Sequence, residues 1–217
     1  MSQISSGQGD TSDADEARPV KFKAGKSLCG TTAVPGDKSI SHRALIFSAL
    51  AVGKSEIRGL LEGEDVLATA AALSAMGVTI EKKKAIWTVH GVGVGGLMAP
   101  KSALDMGNSG TSTRLLMGLL ASHDITATLI GEASLSKRPM GRVIDPLSQM
   151  GAHFQARQSH DDKACMPLTL HGMCPTLPIE YRLPVASAQV KSAILLAGLN
   201  TPGITRVIEP TPTRDHS

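Results

Sequence analysis

The stretch 35–43 combines residue types that bind anions with the beginning of a helix. Lys38, Ser39 and Arg43 lie in it, and apolar residues recur every three or four positions from Ile40 onward. Backbone N–H groups at a helix start are unsatisfied and carry positive potential, so cations and hydroxyls beside them form a site for a phosphate or carboxylate. The alternative is a capped helix with one or two solvated basic residues.

Two further segments of the chain resemble this one. The helical pattern 43–51 recurs at 114–121 and at 191–199, and a small polar cluster precedes each recurrence, at 108–111 and at 187–189. Self-similarity of this kind indicates an internal repeat. If three such helices begin at one end of a domain, their polar loops and basic side chains meet at a single anionic ligand.

The residues between these helices complete a repeating unit. A strand-like run follows each helix, and in the first two copies a second helix follows, at 65–76 and at about 140–150, with two more strand-like runs after it. Pro146 is expected to kink the later of these helices or to delay its start. The pattern predicts an α/β domain of two complete helix-strand-helix-strand-strand units and a partial third, which breaks off at 210–217 as in a truncated chain.

Periodicity leaves open whether helices or strands form the inside of this domain. The first helix of each copy is apolar nearly all round, most clearly at 115–120, and this favours burial of all three. The candidate ligand residues lie at or just after the starts of these helices. They are Lys38, Ser39, Arg43, Asn108, Ser109, Gly110, Thr111, Arg114, Ser187, Gln189 and Lys191.

Other polar residues of these regions have less specific interpretations. A basic loop at 136–142, and Arg214 in the segment 214–216, provide further cations for the candidate site. The alternative role for Arg114 and Lys191 is to cap or flank a helix. Solvated positions are favoured for Lys137 and Arg142. A surface or helix-terminal position is favoured for His42 and for His216, because neither has a partner pattern nearby.

Composition excludes several classes of function. The net charge is only +3, and with three Phe, one Trp and one Tyr the chain lacks a stacking platform for nucleic acid. No apolar run is long enough for a membrane span. Residues 1–26 read as a disordered acidic leader without a secretion signal. Cys29, Cys165 and Cys174 lack metal-ligand spacing and are expected as reduced thiols in a cytoplasm.

Six of these motifs together resemble those of the 5-enolpyruvylshikimate-3-phosphate (EPSP) synthase family, in its class II branch. The matching segments are 35–43, 60–65, 107–111, 137–142, 187–191 and 214–216. The resemblance implies that 27–217 is the N-terminal, shikimate 3-phosphate-binding domain, an inside-out α/β barrel of three repeats with the second domain absent. It also implies transfer of an enolpyruvyl group from phosphoenolpyruvate to the 5-hydroxyl of shikimate 3-phosphate, with no metal or organic cofactor.

The resemblance also assigns roles to residues. Lys38 and Arg138 are expected to stabilise charge on the departing phosphate, Asn108 and Thr111 to support the loop of Gly110, and Arg114 to act structurally. Glyphosate, the inhibitor of this family, is expected beside Gly110. The shikimate 3-phosphate ligands are expected to be Lys38, Ser39, Arg43, Ser187, Ala188, Gln189 and Arg214. The phosphoenolpyruvate ligands are expected to be Lys38, Gly110, Arg138 and Gln189.

This chain also departs from the family pattern. Members run to about twice its length, are usually monomeric, and carry their acid–base groups in the second half. We therefore expect a cytoplasmic fragment that is inactive alone, with an uncovered apolar face that favours marginal stability or self-association. The alternative is the non-catalytic half of a split enzyme, whose partner chain is the missing C-terminal half. A stand-alone anion-binding protein is disfavoured by the unfinished third repeat.

Overall fold

The computed structural model describes residues 21–23, 25, 27 and 29–213. Residues 35–217 form one unit, and the described residues before it contain neither helix nor strand. The leader predicted over 1–26 falls almost wholly outside the described residues, so its disorder stays a prediction. The same holds for Arg214 and the rest of its motif.

The helices and strands of the described unit follow one another in a repeating order. They are α1 (Lys38–Leu50), β1 (Val52–Arg58), α2 (Glu64–Ala75), β2 (Thr79–Lys83), β3 (Ile86–Val92), β4 (Leu104–Asp105), α3 (Gly110–Ala121), β5 (Thr126–Ile130), α4 (Ala133–Ser136), α5 (Gly141–Gln149), β6 (His153–Gln158), β7 (Ala164–His171), β8 (Glu180–Arg182), α6 (Ala188–Gly198) and β9 (Arg206–Ile208).

The predicted repeat is confirmed. Helices α1 and α3 each begin a set of helix, strand, helix and two strands, and α6 with β9 begins a third. The short helix α4 is an insertion before α5. Pro146 lies inside α5, which begins at Gly141, so the proline does not delay the start of that helix.

Two short strands were missed by the sequence patterns. Strand β4 pairs in parallel with β5, and β8 pairs in parallel with β9. The second and third units therefore begin with a strand, and their first helix connects two parallel strands. Strands of two or three residues with charged members offer no alternation of apolar and polar positions, which is the signal that sequence reading depends on.

The sheets lie outside and the helices inside, which settles the alternative that periodicity left open. One sheet has the order β1-β3-β2 and is antiparallel, a second has the order β4-β5-β7-β6, and the third pairs β8 with β9. Strand β1 has no buried residue. By contrast, every residue of α3 except Thr111 and Arg114 is buried, and α3 packs against α2, α5, α6 and β7.

The expected burial of all three first helices is wrong for α1 and α6. Phe47 is 51% exposed, Leu195 46% and Leu199 51%. These side chains line a groove of about 390 Å³ between α1 and α6. Helix α2 packs against both α1 and α3, and α5 against both α3 and α6, whereas no helix among the described residues fills the corresponding space between α6 and α1. The groove is the uncovered apolar face that the sequence predicted.

The contact between α3 and α6 is close because α3 carries a glycine there. A Cβ atom built on Gly118 would lie 2.2 Å from the carbonyl oxygen and 2.6 Å from the Cα of Ala193. Both neighbours are backbone atoms of the fully buried residue Ala193, so they have little freedom to withdraw. Gly118 thus sets the separation of the two helices.

We expect Gly118→Ala to lower the free energy of unfolding by about 2 kcal/mol, the cost typical of overpacking a core. Denaturant titration followed by circular dichroism measures it. Gly141→Ala is the matched control, because Gly141 is also helical and its added methyl group meets no atom within 4 Å. Equal stability of the two variants would contradict the proposed role of Gly118.

Candidate active site

Each of the three first helices begins behind a side chain that caps it. Asp37, Ser109 and Ser187 are the N-cap residues of α1, α3 and α6, and the side chain of each accepts a hydrogen bond from the backbone N–H three residues later. Aspartate and serine are favoured at this position because their oxygen satisfies one of the free N–H groups of the first turn. The remaining N–H groups of the first turns supply positive potential at the candidate site.

The second and third repeats are joined by a hydrogen-bonded chain at these helix starts. The Arg114 guanidinium donates to the Gly110 carbonyl oxygen at 3.1 Å and to Gln189 Oε1 at 3.0 Å. Gln189 Nε2 in turn donates to Thr111 Oγ1 at 3.0 Å. These hydrogen bonds place Gln189 against the Gly110 loop. They also make Arg114 a bridge between the second and third repeats.

Two guanidinium groups lie over Gly110. A Cβ atom on this glycine would be 2.8 Å from Arg114 Nη1 and 3.1 Å from Arg138 Nη1. Arg138 is exposed, and its side chain donates a long hydrogen bond of 3.4 Å to Ser134 Oγ. Its charge is therefore available to a ligand that approaches the glycine.

The positive charge of this region is concentrated. Burial lowers the pKa of Arg114, and the nearby charges of Arg138 and Arg142 lower it further. Arg142 is exposed, as predicted, but it also lines a cavity of about 250 Å³ together with Arg114, Ser187 and Gln189. An anion in this cavity relieves the repulsion among the three guanidinium groups and forms charge-assisted hydrogen bonds with them.

The first repeat contributes two cations in different settings. Lys38, half of whose side chain is exposed, forms an ion pair with Asp65 at the start of α2. Arg43 donates to Ser192 Oγ of α6 at 2.9 Å and to the Ser39 carbonyl oxygen at 3.3 Å. Arg43 thereby links the first and third repeats.

The other predicted residues lie nearby in the same repeats. Asn108 donates its amide to the carboxylate of Glu132, and Ala188 is the first residue of α6. Lys191 forms an ion pair with Glu209 at 2.9 Å, so it has a structural partner in its own repeat. Arg214 lies outside the described residues.

The surface position expected for His42 is wrong. His42 is fully buried, and its Nδ1 atom lies 2.8 Å from Thr69 Oγ1. A signal for this was present in the sequence, because His42, Leu45, Ile46 and Ala49 share one face of α1 at helical spacing, and all four are fully buried. The sequence motifs did not indicate Thr69, or Ser112 to which it donates, as members of the site.

Burial sets the protonation state of His42. Its pKa is lowered from an ordinary value of 6.5 to about 4, chiefly because the ring is removed from solvent. The charges of Lys38 and Arg43 also lower the pKa, and the charge of Asp65 raises it. The imidazole is therefore neutral at pH 7. It adds no positive charge to the candidate site and acts there through hydrogen bonding.

Metal sites and membrane spans were searched for in the described residues. They hold no group of three or more histidine, cysteine, aspartate or glutamate side chains arranged to bind a metal ion. None of the helices in this part of the chain has the length and apolar character needed to cross a membrane.

Comparison with known proteins identifies relatives of the chain. Residues 22–217 match the family of EPSP synthase (3-phosphoshikimate 1-carboxyvinyltransferase). The 3-phosphoshikimate 1-carboxyvinyltransferase of Novosphingobium aromaticivorans is 69% identical over 201 residues, and that of Sphingopyxis alaskensis is 66% identical over 202. A solved structure of EPSP synthase from Acinetobacter baumannii has a TM-score of 0.80 and 53% identity.

The chain spans less than half the length of these relatives. The alignments cover 92% of this chain and 45% of the Novosphingobium protein, and 93% and 45% for the Sphingopyxis protein. The structural match covers 86% of this chain and 42% of the Acinetobacter chain. The likeness thus extends over nearly all of this chain.

We expect the stability of the chain to fall as the pH drops from about 6.5 to about 4. The pKa of His42 is lower in the folded chain than in the unfolded chain, so the unfolded chain binds more protons in this window. The loss amounts to about 3 kcal/mol at the acidic end, and stability is fully present above the window. Denaturant titrations of wild type and His42→Asn across pH measure it.

His42→Asn is informative because asparagine does not titrate but can place a polar atom near the position of Nδ1. Both proteins retain His123, whose pKa is also lowered by burial, so the difference between their pH profiles reports His42. Parallel profiles between pH 4 and 6.5 would show that folding does not lower the pKa of His42.

Proposed function

Since this chain belongs to the EPSP synthase family, we propose that it provides the shikimate 3-phosphate-binding side of a 3-phosphoshikimate 1-carboxyvinyltransferase. The 5-hydroxyl of shikimate 3-phosphate adds to phosphoenolpyruvate, and the tetrahedral adduct then expels phosphate. The reaction belongs to the biosynthesis of aromatic amino acids and takes place in the cytoplasm. It requires no metal and no organic cofactor.

The observation that carries this proposal is the convergence of cations and helix starts from three repeats. Arg114 and Arg138 lie over Gly110, and Arg43 reaches from α1 to α6. Two substrates that each carry several negative charges repel one another, so their binding requires a preorganised cationic surface. The alternative that Arg114 and Lys191 only cap or flank helices agrees with the Lys191–Glu209 ion pair, and it does not extend to the exposed Arg138.

The shikimate 3-phosphate ligands that the structure describes lie at or near the starts of α1 and α6. Arginine binds phosphate through two parallel hydrogen bonds, and Arg43 is well placed for this, since its partner Ser192 belongs to the facing helix. The set is Lys38, Ser39, Arg43, Ser187, Ala188, Gln189 and Arg214.

Phosphoenolpyruvate occupies the side of the site next to α3. Gly110 allows the ligand to approach the backbone, Arg138 and Lys38 neutralise its phosphate, and Gln189 borders both substrates. Thr111 and Asn108 hold the loop through Gln189 and Glu132. As the phosphate departs, Lys38 and Arg138 stabilise the charge that it gains.

The acid–base steps need groups from outside this chain. A base must accept the proton of the 5-hydroxyl, and an acid must protonate the methylene carbon of phosphoenolpyruvate. In the family these groups belong to the C-terminal half. The chain alone is therefore inactive and binds shikimate 3-phosphate without turning it over.

A second candidate is the binding half of a split enzyme whose C-terminal half is a separate chain. The apolar groove lined by Phe47, Leu195 and Leu199 favours it, because an exposed apolar patch on a polar surface marks a place where another polypeptide packs. The two candidates share the site and the reaction, and they differ in how the second half is supplied.

Phosphate release from shikimate 3-phosphate and phosphoenolpyruvate tests the proposal. We expect none from the chain alone, and release when the C-terminal part of the Novosphingobium relative is joined to it or mixed with it. Recovery on mixing of separate chains supports the split form. Release by the chain alone would mean that an acid–base pair lies within these residues and would overturn the assignment of those groups to the other half.

Three variants of the joined protein assign the activity to this site. Lys38→Ala and Arg43→Ala are each expected to weaken shikimate 3-phosphate binding by about tenfold or more, the loss typical of a charge-assisted hydrogen bond. Lys101→Ala, which removes an exposed lysine outside the site, is the control. Calorimetry that finds all three equal to wild type would refute the binding assignment.

Gly110→Ala tests the phosphoenolpyruvate side separately. Because the added methyl group would overlap Arg114 Nη1 and crowd Arg138 Nη1, both guanidinium groups must shift. We expect the KM for phosphoenolpyruvate to rise by about tenfold and inhibition by glyphosate to weaken, with shikimate 3-phosphate affinity unchanged. Gly141→Ala, whose methyl group meets open space, is the control, and an unchanged KM in Gly110→Ala would contradict this placement.

A further inference from the structure

A buried chain of polar side chains connects three helices beneath the candidate site. His42 Nδ1 of α1 lies 2.8 Å from Thr69 Oγ1 of α2, which lies 2.8 Å from Ser112 Oγ of α3. Ser112 Oγ is also 2.6 Å from Ser109 Oγ and 3.0 Å from the Asp65 carbonyl oxygen. All of these side chains except that of Asp65 are buried.

The number of available protons determines which group donates and which accepts in each of these hydrogen bonds. Each hydroxyl has one proton to donate. If Ser112 donates to the Asp65 carbonyl oxygen, its own oxygen accepts from Thr69 and from Ser109. Thr69 Oγ1 lies 2.8 Å from Ser112 Oγ and 3.4 Å from the Asp65 carbonyl oxygen, so its proton goes to the nearer Ser112 and its own oxygen accepts from His42 Nδ1–H. A neutral imidazole protonated on Nδ1 is thus the donor at one end of a fully paired chain.

At the end opposite His42, Ser112 contacts two residues that belong to or adjoin the proposed site. Asp65, whose carbonyl oxygen accepts from Ser112, forms the ion pair with Lys38 through its carboxylate. Ser109 caps α3 and immediately precedes Gly110, over which Arg138 lies. The chain therefore fixes the Lys38 side of the site relative to the Gly110 side.

An imidazole at this position is costly for a purely structural purpose. His42 shares its buried face of α1 with apolar residues, and its Nε2 atom has no hydrogen-bond partner among the described residues. A buried polar atom without a partner lowers stability, and a leucine would suit the same apolar face. The hydrogen bond to Thr69 is what the histidine adds there.

We propose that His42 is a positioning residue. Through Thr69 and Ser112 it fixes the position of the Lys38–Asp65 ion pair relative to Gly110 at the start of α3. The inference rests on the proposed function, since these two elements form its phosphoenolpyruvate side. His42 touches neither substrate. Its removal loosens the geometry on that side and leaves the contacts of Arg43 with α6 intact.

Hydrogen exchange in the chain itself tests the positioning without any need for activity. The Ser112 N–H donates to Ser109 Oγ at 3.1 Å, so its exchange reports the order of the α3 start. We expect His42→Leu to speed this exchange by about tenfold, and His42→Asn, which keeps a polar atom near Nδ1, to restore most of the protection. Thr69→Val, which removes only the hydroxyl group, should behave like His42→Leu and serves if that variant does not fold.

The chain offers a matched control in His123. This histidine is also buried, its Nδ1 contacts the Leu119 carbonyl oxygen at 2.8 Å, and its Nε2 likewise has no partner among the described residues. It follows the C-terminal end of α3, away from the site. His123→Leu should change stability as His42→Leu does and leave the exchange of Ser112 unchanged.

Kinetics of the protein joined to the C-terminal part of its Novosphingobium relative provide the second readout. In His42→Leu and Thr69→Val we expect the KM for phosphoenolpyruvate to rise by about tenfold. Shikimate 3-phosphate affinity should fall less than in Lys38→Ala, because these variants shift Lys38 without removing it. His42→Asn should recover the KM, and His123→Leu should match wild type.

The two readouts separate the two ideas. If the wild-type joined protein releases no phosphate, the proposed function fails, and the exchange of Ser112 still decides whether the network holds the α3 start. If His42→Leu and Thr69→Val leave the exchange of Ser112 unchanged, or if His42→Asn is no better than His42→Leu, His42 is an ordinary core residue and the inference is wrong.

Discussion

The enclosure of α3 is the constraint on which the rest of the structure depends. Because α3 is buried everywhere except at Thr111 and Arg114 in its first turn, N–H groups at its start must be satisfied by the protein or by a ligand. The Ser109 hydroxyl accepts from the Ser112 N–H, and the hydrogen bonds of Thr69 with Ser112 and of Gln189 with Thr111 hold polar side chains around the same turn. The polar side chains that provide hydrogen-bond partners at the start of α3 therefore also border the candidate site.

The repeat determines which charges meet at the candidate site. Because α1, α3 and α6 begin with the same capped junction, the basic residues in their first turns lie around one region. Burial lowers the pKa of Arg114, and the charges of Arg138 and Arg142 lower it further. A bound anion relieves the repulsion among these three groups. Lys38 and Lys191 are held by Asp65 and Glu209, whereas the Arg138 guanidinium is exposed toward solvent.

The sequence predicted the repeat, nearly all the long elements and the meeting of Gly110, Arg138 and Gln189, because these depend on local periodicity and on motifs that recur. It did not predict β4 and β8, which exist only through pairing with distant strands. It also misplaced His42. The hydrogen-bond partner of this histidine, Thr69, lies on α2 and meets it only when α2 packs against α1. The exposure of Phe47 and Leu195 could not be read from helices that are apolar nearly all round, because exposure depends on which neighbours are present.

The groove between α1 and α6 connects the packing of the domain to its chemistry. Helices α2 and α5 each lie between two first helices, and this arrangement fixes the distances from α1 to α3 and from α3 to α6. Between α6 and α1, Arg43 spans the gap to Ser192 with a hydrogen bond, and apolar side chains lie exposed beside it. In the proposed function Arg43 binds shikimate 3-phosphate. The substrate therefore binds where two first helices meet without a described helix packed between them. Under that proposal, a polypeptide packed against this groove and a substrate held by Arg43 would both stabilise the contact between α1 and α6.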